Sequence, residues 1–188
     1  MKNKNTKILI ESAICVAIAV AIAFIPVTHL PMGPNLPYVP LAVLGIRRGF
    51  GVAVVAFPVM GLLEWMFGMA WIVTPVQFVM EYIVALMSLA LLALFAKKIR
   101  TLITDNDYKL NVQASLFITL SLTVGVIAAY FWHWLAGFMY FSSDAWDGWG
   151  PWAFTTVYNG AEGLATLVGA VIIILGIAKI NPKILISR

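Results

Sequence analysis

The chain has 188 residues, of which 62% are hydrophobic and 11% charged, with a net charge of +4. A soluble domain carries roughly 45–50% apolar and about 25% charged residues, so this composition excludes a water-soluble globule and points to a polytopic membrane protein. A helical span takes about 20 residues, so the length holds at most six spans and leaves no room for a soluble catalytic or nucleotide-binding domain.

In chain order, six apolar stretches stand out, at 8–25, 39–46, 50–67, 73–96, 112–139 and 153–178. The expected fold is all-α: one integral membrane domain over residues 1–188, a six-helix transmembrane bundle. The second stretch is too short to cross a bilayer as a straight helix. Five prolines (Pro26, Pro31, Pro34, Pro37 and Pro40) precede or open it. Proline removes a backbone donor, and irregular backbone at membrane depth survives only where protein buries it or water reaches it. Residues 26–40 therefore read as an outer loop leading into a short or broken span packed on the bundle. Residues 97–111 read as a solvated connector. The start of the chain has a basic end, an apolar run and an Ala-Ile-Ala sequence, like a signal peptide, but the run is long for one and is read as the first span.

All twelve Lys and Arg fall in four clusters: Lys2/Lys4/Lys7, Arg47/Arg48, Lys97/Lys98/Arg100/Lys109 and Lys179/Lys183/Arg188. With six spans, these lie on one side, and the positive-inside rule puts both termini in the cytoplasm. The basic charge is thus a topology signal, and nucleic acid is not an expected partner. No phosphate-binding loop appears, so any energy source lies in a partner or an ion gradient. The single Cys15 excludes an internal disulfide and a cysteine-rich metal site. Neither a cofactor nor a metal is expected, and no catalytic constellation stands out.

Ionisable residues inside spans usually face a bundle interior or a wet cavity. Glu64, Glu81, His133, Asn159 and Glu162 all fall in the outer half of their spans. Glu81 is the sharpest of them, because the outer half holds no Lys or Arg to neutralise it. Aromatics crowd the same half, among them Trp65, Trp71, Tyr82, Trp134, Phe141, Trp149, Trp152, Phe154 and Tyr158. Carboxylates and aromatic faces without a basic residue describe a pocket for a flat, positively charged molecule. The loop from Ser142 to Trp152 carries Gly-Trp-Gly-Pro and reads as a structured lid. Ala13, Ala17 and Ala21 recur at i, i+4 and i+8 on one face of the first span, with Ala19 and Ala23 extending it. Small residues at this spacing let another helix approach closely.

Several segments together resemble the thiamine-specific substrate-binding (S) components of energy-coupling factor transporters, the ThiT family. They are Glu11-Ser12-Ala13, Val39-Pro40-Leu41 with Gly45-Ile46-Arg47-Arg48-Gly49, Glu81-Tyr82-Ile83-Val84-Ala85, His133-Trp134-Leu135-Ala136-Gly137, Ala145-Trp146-Asp147-Gly148-Trp149-Gly150 and Tyr158-Asn159-Gly160. The resemblance implies a vitamin binder of the cell membrane, not an enzyme. Such a binder docks on a transmembrane coupling (T) protein and two ATPase subunits through the small-residue face of its first helix. It implies substrate contacts from Glu81, Tyr82, His133, Asn159 and Trp71. Gly137, Phe141, Phe154, Glu64 and Asn35 complete the expected set. The best-known members carry Trp at the positions of Met60 and Phe141, Tyr at Phe154, and Ser at Glu64 and Glu162; some carry an acid at Asn35. The residues leave two rivals open: the same transporter class with another substrate, such as a pyrimidine precursor or other small aromatic amine, and an autonomous ion-coupled carrier.

Overall fold

The structure is a computed structural model and describes residues 2–26 and 30–187. Six helices follow one another, with no strand among the described residues: α1 (Lys2–Ala23), α2 (Tyr38–Arg48), α3 (Phe50–Met66), α4 (Pro75–Thr104), α5 (Val112–Tyr140) and α6 (Pro151–Ile180). Short 3₁₀ turns lie at Ser142–Asp144 and Pro182–Leu185. Among the described residues, four helices are long and apolar enough to cross a membrane: α1 from Asn5, α4, α5 and α6. Leu9, Val112, Ile127, Leu164 and Ile172 stand outward at 63–76% exposure. Lipid is as apolar as these side chains, so they need no protein cover.

The second apolar stretch is α2, only 11 residues long. It is walled in by its neighbours: Leu41, Leu44 and Ile46 are fully buried beside Phe57 and Met60 of α3 and Leu86, Leu89 and Leu92 of α4. Pro40 sits in its first turn, where no intrahelical donor is lost. Residues 27–29 of the proline-rich segment lie outside the described residues, as do Arg188 and the side chains of Lys2 and Lys4.

The connector expected at 97–111 is mostly helical, because α4 runs on to Thr104. Ile99 and Ile103 recur at i and i+4 and are fully buried, so this stretch is amphipathic and packs on the bundle rather than projecting into solvent. Arg100 turns inward and donates to the carbonyls of Ile46 (2.6 Å) and Arg47 (3.3 Å), in the last turn of α2. Beside it, Glu11 of α1 accepts from Arg47 (2.9 and 3.1 Å) and Arg48 (2.6 Å). Arg47 also donates to the carbonyls of Lys183 (3.2 Å), Ile184 (3.0 Å) and Ile186. One knot of charge thus ties α1, α2, α4 and the C-terminal turn at one end of the bundle. The guanidinium groups satisfy carbonyls that the short helices cannot pair themselves.

At the other end, α4 starts on an N-cap: the Thr74 hydroxyl accepts from Gln77 N–H at 3.1 Å, and Pro75 holds the first position. The helix then widens to π geometry over Val79–Val84, with Ala85 N–H bonded to Met80 O, and tightens to 3₁₀ over Ala90–Phe95. Single π turns are rare and concentrate at functional sites. Helix α3 crosses α4 on this turn. A Cβ at Gly61 would lie 2.2 Å from Tyr82 O and 2.8 Å from Leu86 Cδ1, so only glycine permits the crossing.

That contact yields a first expectation. Overpacking a close approach costs about 1–3 kcal/mol, so Gly61→Ala lowers the melting temperature in detergent by roughly 2–12 °C. Gly176→Ala, where an added Cβ meets nothing within 4 Å, is the control. Equal melting of the two variants would refute the crossing.

Candidate functional site

A cavity of about 560 Å³ opens at the end of the bundle away from the arginine knot. Ala23 lines it, 12 residues along α1 from Glu11, which is about 18 Å of helix. All ten positions expected to contact substrate line this one cavity: Asn35, Glu64, Trp71, Glu81, Tyr82, His133, Gly137, Phe141, Phe154 and Asn159. Glu162 joins them, so three glutamates from three helices face one space together with Asp144 of the loop after α5, with no Lys or Arg in its lining.

Glu81 and Tyr82 are presented by the π turn of α4. The Glu81 carboxylate accepts from Gln77 Nε2, one turn earlier, and lies 3.4 Å from His133 Nδ1 on α5. His133 and Glu81 are 17% and 16% exposed, so the pair is largely desolvated yet open to the cavity. The Tyr130 ring packs on the His133 imidazole at 5.2 Å between centroids. Gln77 is fully buried and was not among the expected residues. Besides Glu81, its amide donates to Trp71 O (3.1 Å) and accepts from Val73 N–H (3.2 Å). One side chain therefore holds both the acid and the loop at the cavity mouth. Its sequence signal was the Thr74-Pro75 helix start followed by a Gln four residues before a Glu, the i, i+4 spacing that pairs them.

Tyr82 works mainly as a strut. Its hydroxyl accepts from Trp71 N–H at 2.9 Å, and its ring stacks on Phe78 at 5.4 Å. Trp71 itself is 74% exposed, so it stands at the rim rather than in the wall. From α6, Thr155, Asn159, Glu162 and Thr166 recur at i, i+4, i+7 and i+11 and form one polar stripe. Asn159 Nδ2 donates to Thr155 O at 3.1 Å, which leaves its side-chain oxygen for a ligand. Gly137 of α5 faces this stripe; a Cβ there would lie 3.0 Å from Asn159 Nδ2 and 3.1 Å from Thr155 Cγ2. At the buried end, Asn35 N–H donates to Thr166 Oγ1 (2.8 Å), which meets Tyr130 Oη (3.0 Å), which lies 3.5 Å from Glu162 Oε1. With one proton per group, this chain runs Asn35 to Thr166 to Tyr130 to the Glu162 carboxylate.

The Ser142–Trp152 loop folds over the opening. Asp144 and Trp146 line the cavity, and Trp146 meets Phe154 edge-on at 5.2 Å. Trp149 and Trp152 point outward at 43% and 58% exposure, and Trp152 packs on Trp134 and Phe138. Only one of the three lid tryptophans therefore reaches the cavity. Phe141 and Phe154 do line it, whereas Met60 lies in the core and does not.

On α1, Ala13, Ala17 and Ala21 are exposed. Ala19 and Ala23 are buried at 0% and 1%, so they face the bundle and do not extend the alanine face, as a shift of two residues turns a helical position away. Ala13 and Ala17 line an apolar groove of about 670 Å³ between α1 and α3, with Gly51, Val52, Val55 and Val59 opposite.

The chain matches the family model of the thiamine transporter protein family (Thia_YuaJ) over residues 9–186. It is similar to the thiamine transporter ThiT of Lacticaseibacillus paracasei, 26% identical over 192 residues that cover 100% of this chain and 94% of that one. It is likewise similar to ThiT of Bacillus subtilis, 24% identical over 191 residues that cover 99% and 97%. Among solved structures, ThiT from Listeria monocytogenes superposes with a TM-score of 0.91 at 34% identity, over 98% of this chain and 100% of that one. With the family pattern running through nearly every helix and the fold shared end to end, this chain belongs to the thiamine transporter (Thia_YuaJ) family of membrane proteins.

Proposed function

We propose that the chain is the substrate-binding component of an energy-coupling-factor importer, that it captures thiamine or a thiamine-like cationic aromatic at its outer side, and that it catalyses no reaction of its own. Both termini and the arginine knot face the cytoplasm in this reading, as the twelve basic residues on one side favour. The observation that carries it is the cavity: Glu81, held by Gln77 and His133, faces aromatic walls from Tyr82, Phe141 and Phe154 with no Lys or Arg among the lining residues. A thiazolium placed there gains a counter-charge and ring stacking together. Asn159 and His133 supply directional hydrogen bonds to the ligand's heteroatoms. The named relatives are thiamine transporters, which supports the same ligand class. The alanine-lined groove on α1 and α3 lies along the bundle side, away from the cavity. There it suits close helix docking by the coupling protein that, with two ATPases, would drive import.

Removing one partner of a desolvated charge pair costs roughly 2–5 kcal/mol, so Glu81→Gln weakens thiamine binding at least ~30-fold in calorimetry. An unchanged dissociation constant in a folded variant would remove Glu81 from the role. For the partner, Ala17→Trp fills the groove while leaving thiamine affinity within about threefold. The same variant loses co-purification with the coupling protein and ATPases, and with it uptake. Full uptake by the Trp variant would make the alanines mere packing, and ATP-independent uptake by the isolated chain in liposomes would turn the assignment toward an ion-coupled carrier.

A further inference from the structure

Four carboxylates line one cavity, Glu64, Glu81, Glu162 and Asp144 of the lid, and they exceed what a single organic monocation balances. Glu81 has its own partners in Gln77 and His133. Glu64 makes no side-chain hydrogen bond among the described residues, and Glu162 meets only Tyr130 Oη, at the long distance of 3.5 Å. A second, independent feature points the same way. Thr155 lines the cavity and is fully buried, and its hydroxyl has no hydrogen-bond partner among the described residues. It lies two turns before Glu162 on the polar stripe of α6, with the free oxygen of Asn159 between them. A buried hydroxyl left unpaired is costly unless a ligand completes it.

We infer that Glu162, with Thr155 and Asn159, forms an acceptor-rich subsite that takes a hydrogen-bond donor of the ligand, an alcohol or a protonated nitrogen, and that Glu162 and Glu64 together make the cavity reject phosphate esters. This rests on the proposed thiamine-like ligand and goes beyond it, because it sets which chemical form of that ligand is accepted. The reasoning is one of charge and of donor count. The subsite offers carboxylate, amide and hydroxyl oxygens, and the cavity wall offers no Lys or Arg. An alcohol or ammonium satisfies such a surface. A phosphate monoester brings two further negative charges and only acceptor oxygens, and the wall holds no Lys or Arg to receive them, while its His133 imidazole already lies against Glu81. Like charges forced together in a desolvated site act as selection against the wrong ligand. Neither acid is needed to hold the fold through a salt bridge, since the ion pairs among the described residues involve only Glu11 and Glu81.

The test uses the full chain in lipid nanodiscs, titrated with thiamine and with thiamine monophosphate while tryptophan fluorescence is followed. The unsubstituted protein is expected to favour thiamine over the monophosphate by at least about 100-fold. Glu64→Gln/Glu162→Gln should narrow that ratio to below about tenfold, mainly by tightening the monophosphate. Glu64→Ser/Glu162→Ser, which removes the charge with a smaller side chain, should narrow it likewise and covers the case in which the Gln pair does not fold. Thr155→Val should weaken thiamine several-fold and leave the monophosphate unchanged. A ratio that stays within about threefold of the unsubstituted value in the folded variants overturns the inference while leaving thiamine recognition standing. No fluorescence or calorimetric response to thiamine in the unsubstituted chain would instead overturn the underlying functional reading, and this inference with it.

Discussion

In the hydrocarbon core every backbone N–H and C=O has to find its partner inside the protein, which makes uninterrupted helix the default and every departure from it conspicuous. Helices α5 and α6 obey the default over 29 and 30 residues. Helix α4 departs from it twice, with a π turn at Val79–Val84 and a 3₁₀ stretch at Ala90–Phe95. The π turn carries Glu81 and Tyr82, the acid and ring of the cavity wall. The wider turn meets α3 at Gly61, where the absence of a side chain lets backbone touch backbone. Glu81 and Tyr82 thus meet the cavity from a turn that is wound differently from the helices around it.

A buried acid is tolerable in this setting only if its surroundings supply donors. The Gln77 amide and the His133 imidazole do so for Glu81, and Tyr130 does so weakly for Glu162. The distribution is uneven. Glu81 is held in a fixed orientation by two neighbours, whereas Glu64 and Glu162 keep unspent acceptor capacity toward the cavity. Fixed and unfixed carboxylates in one wall suit different tasks: a fixed one presents its charge in one direction, and the others set the electrostatic sign of the space.

Much of this was legible in the sequence because membrane proteins concentrate their information in a few polar residues. Glu64, Glu81, His133, Asn159 and Glu162 stood out against an apolar background, and depth along each span was enough to place them together. The basic clusters and the short second helix were legible for the same reason. Contacts that depend on rotation about a helix axis were not. Ala19 and Ala23 looked like part of an alanine face, yet a two-residue offset turns them into the bundle. Gln77 was passed over because a neutral amide in a helix start resembles ordinary capping, and its value comes from a carboxylate and a carbonyl that only the fold brings within reach. The connector after residue 97 was misjudged by charge. Its lysines do face solvent, but Ile99, Ile103 and Arg100 form an inward face that average polarity hides.

The arginines show why a topology signal and a structural role need not compete. Arg47 and Arg100 satisfy terminal carbonyls of α2 and of the C-terminal turn, and Arg47 and Arg48 share Glu11. A helix of 11 residues leaves a large share of its carbonyls unpaired at its C-terminal end. In water, solvent would cover them; near the bilayer boundary, guanidinium groups with several donors do it more securely. The short α2 therefore demands cations at that end whatever the orientation rule requires. Its other end joins the Asn35 loop and the cavity, where Lys and Arg are absent from the lining. The bundle is thus polarised along its length: guanidinium donors meet the open carbonyls of the short helix at one end, and at the other lies a wall free of Lys and Arg.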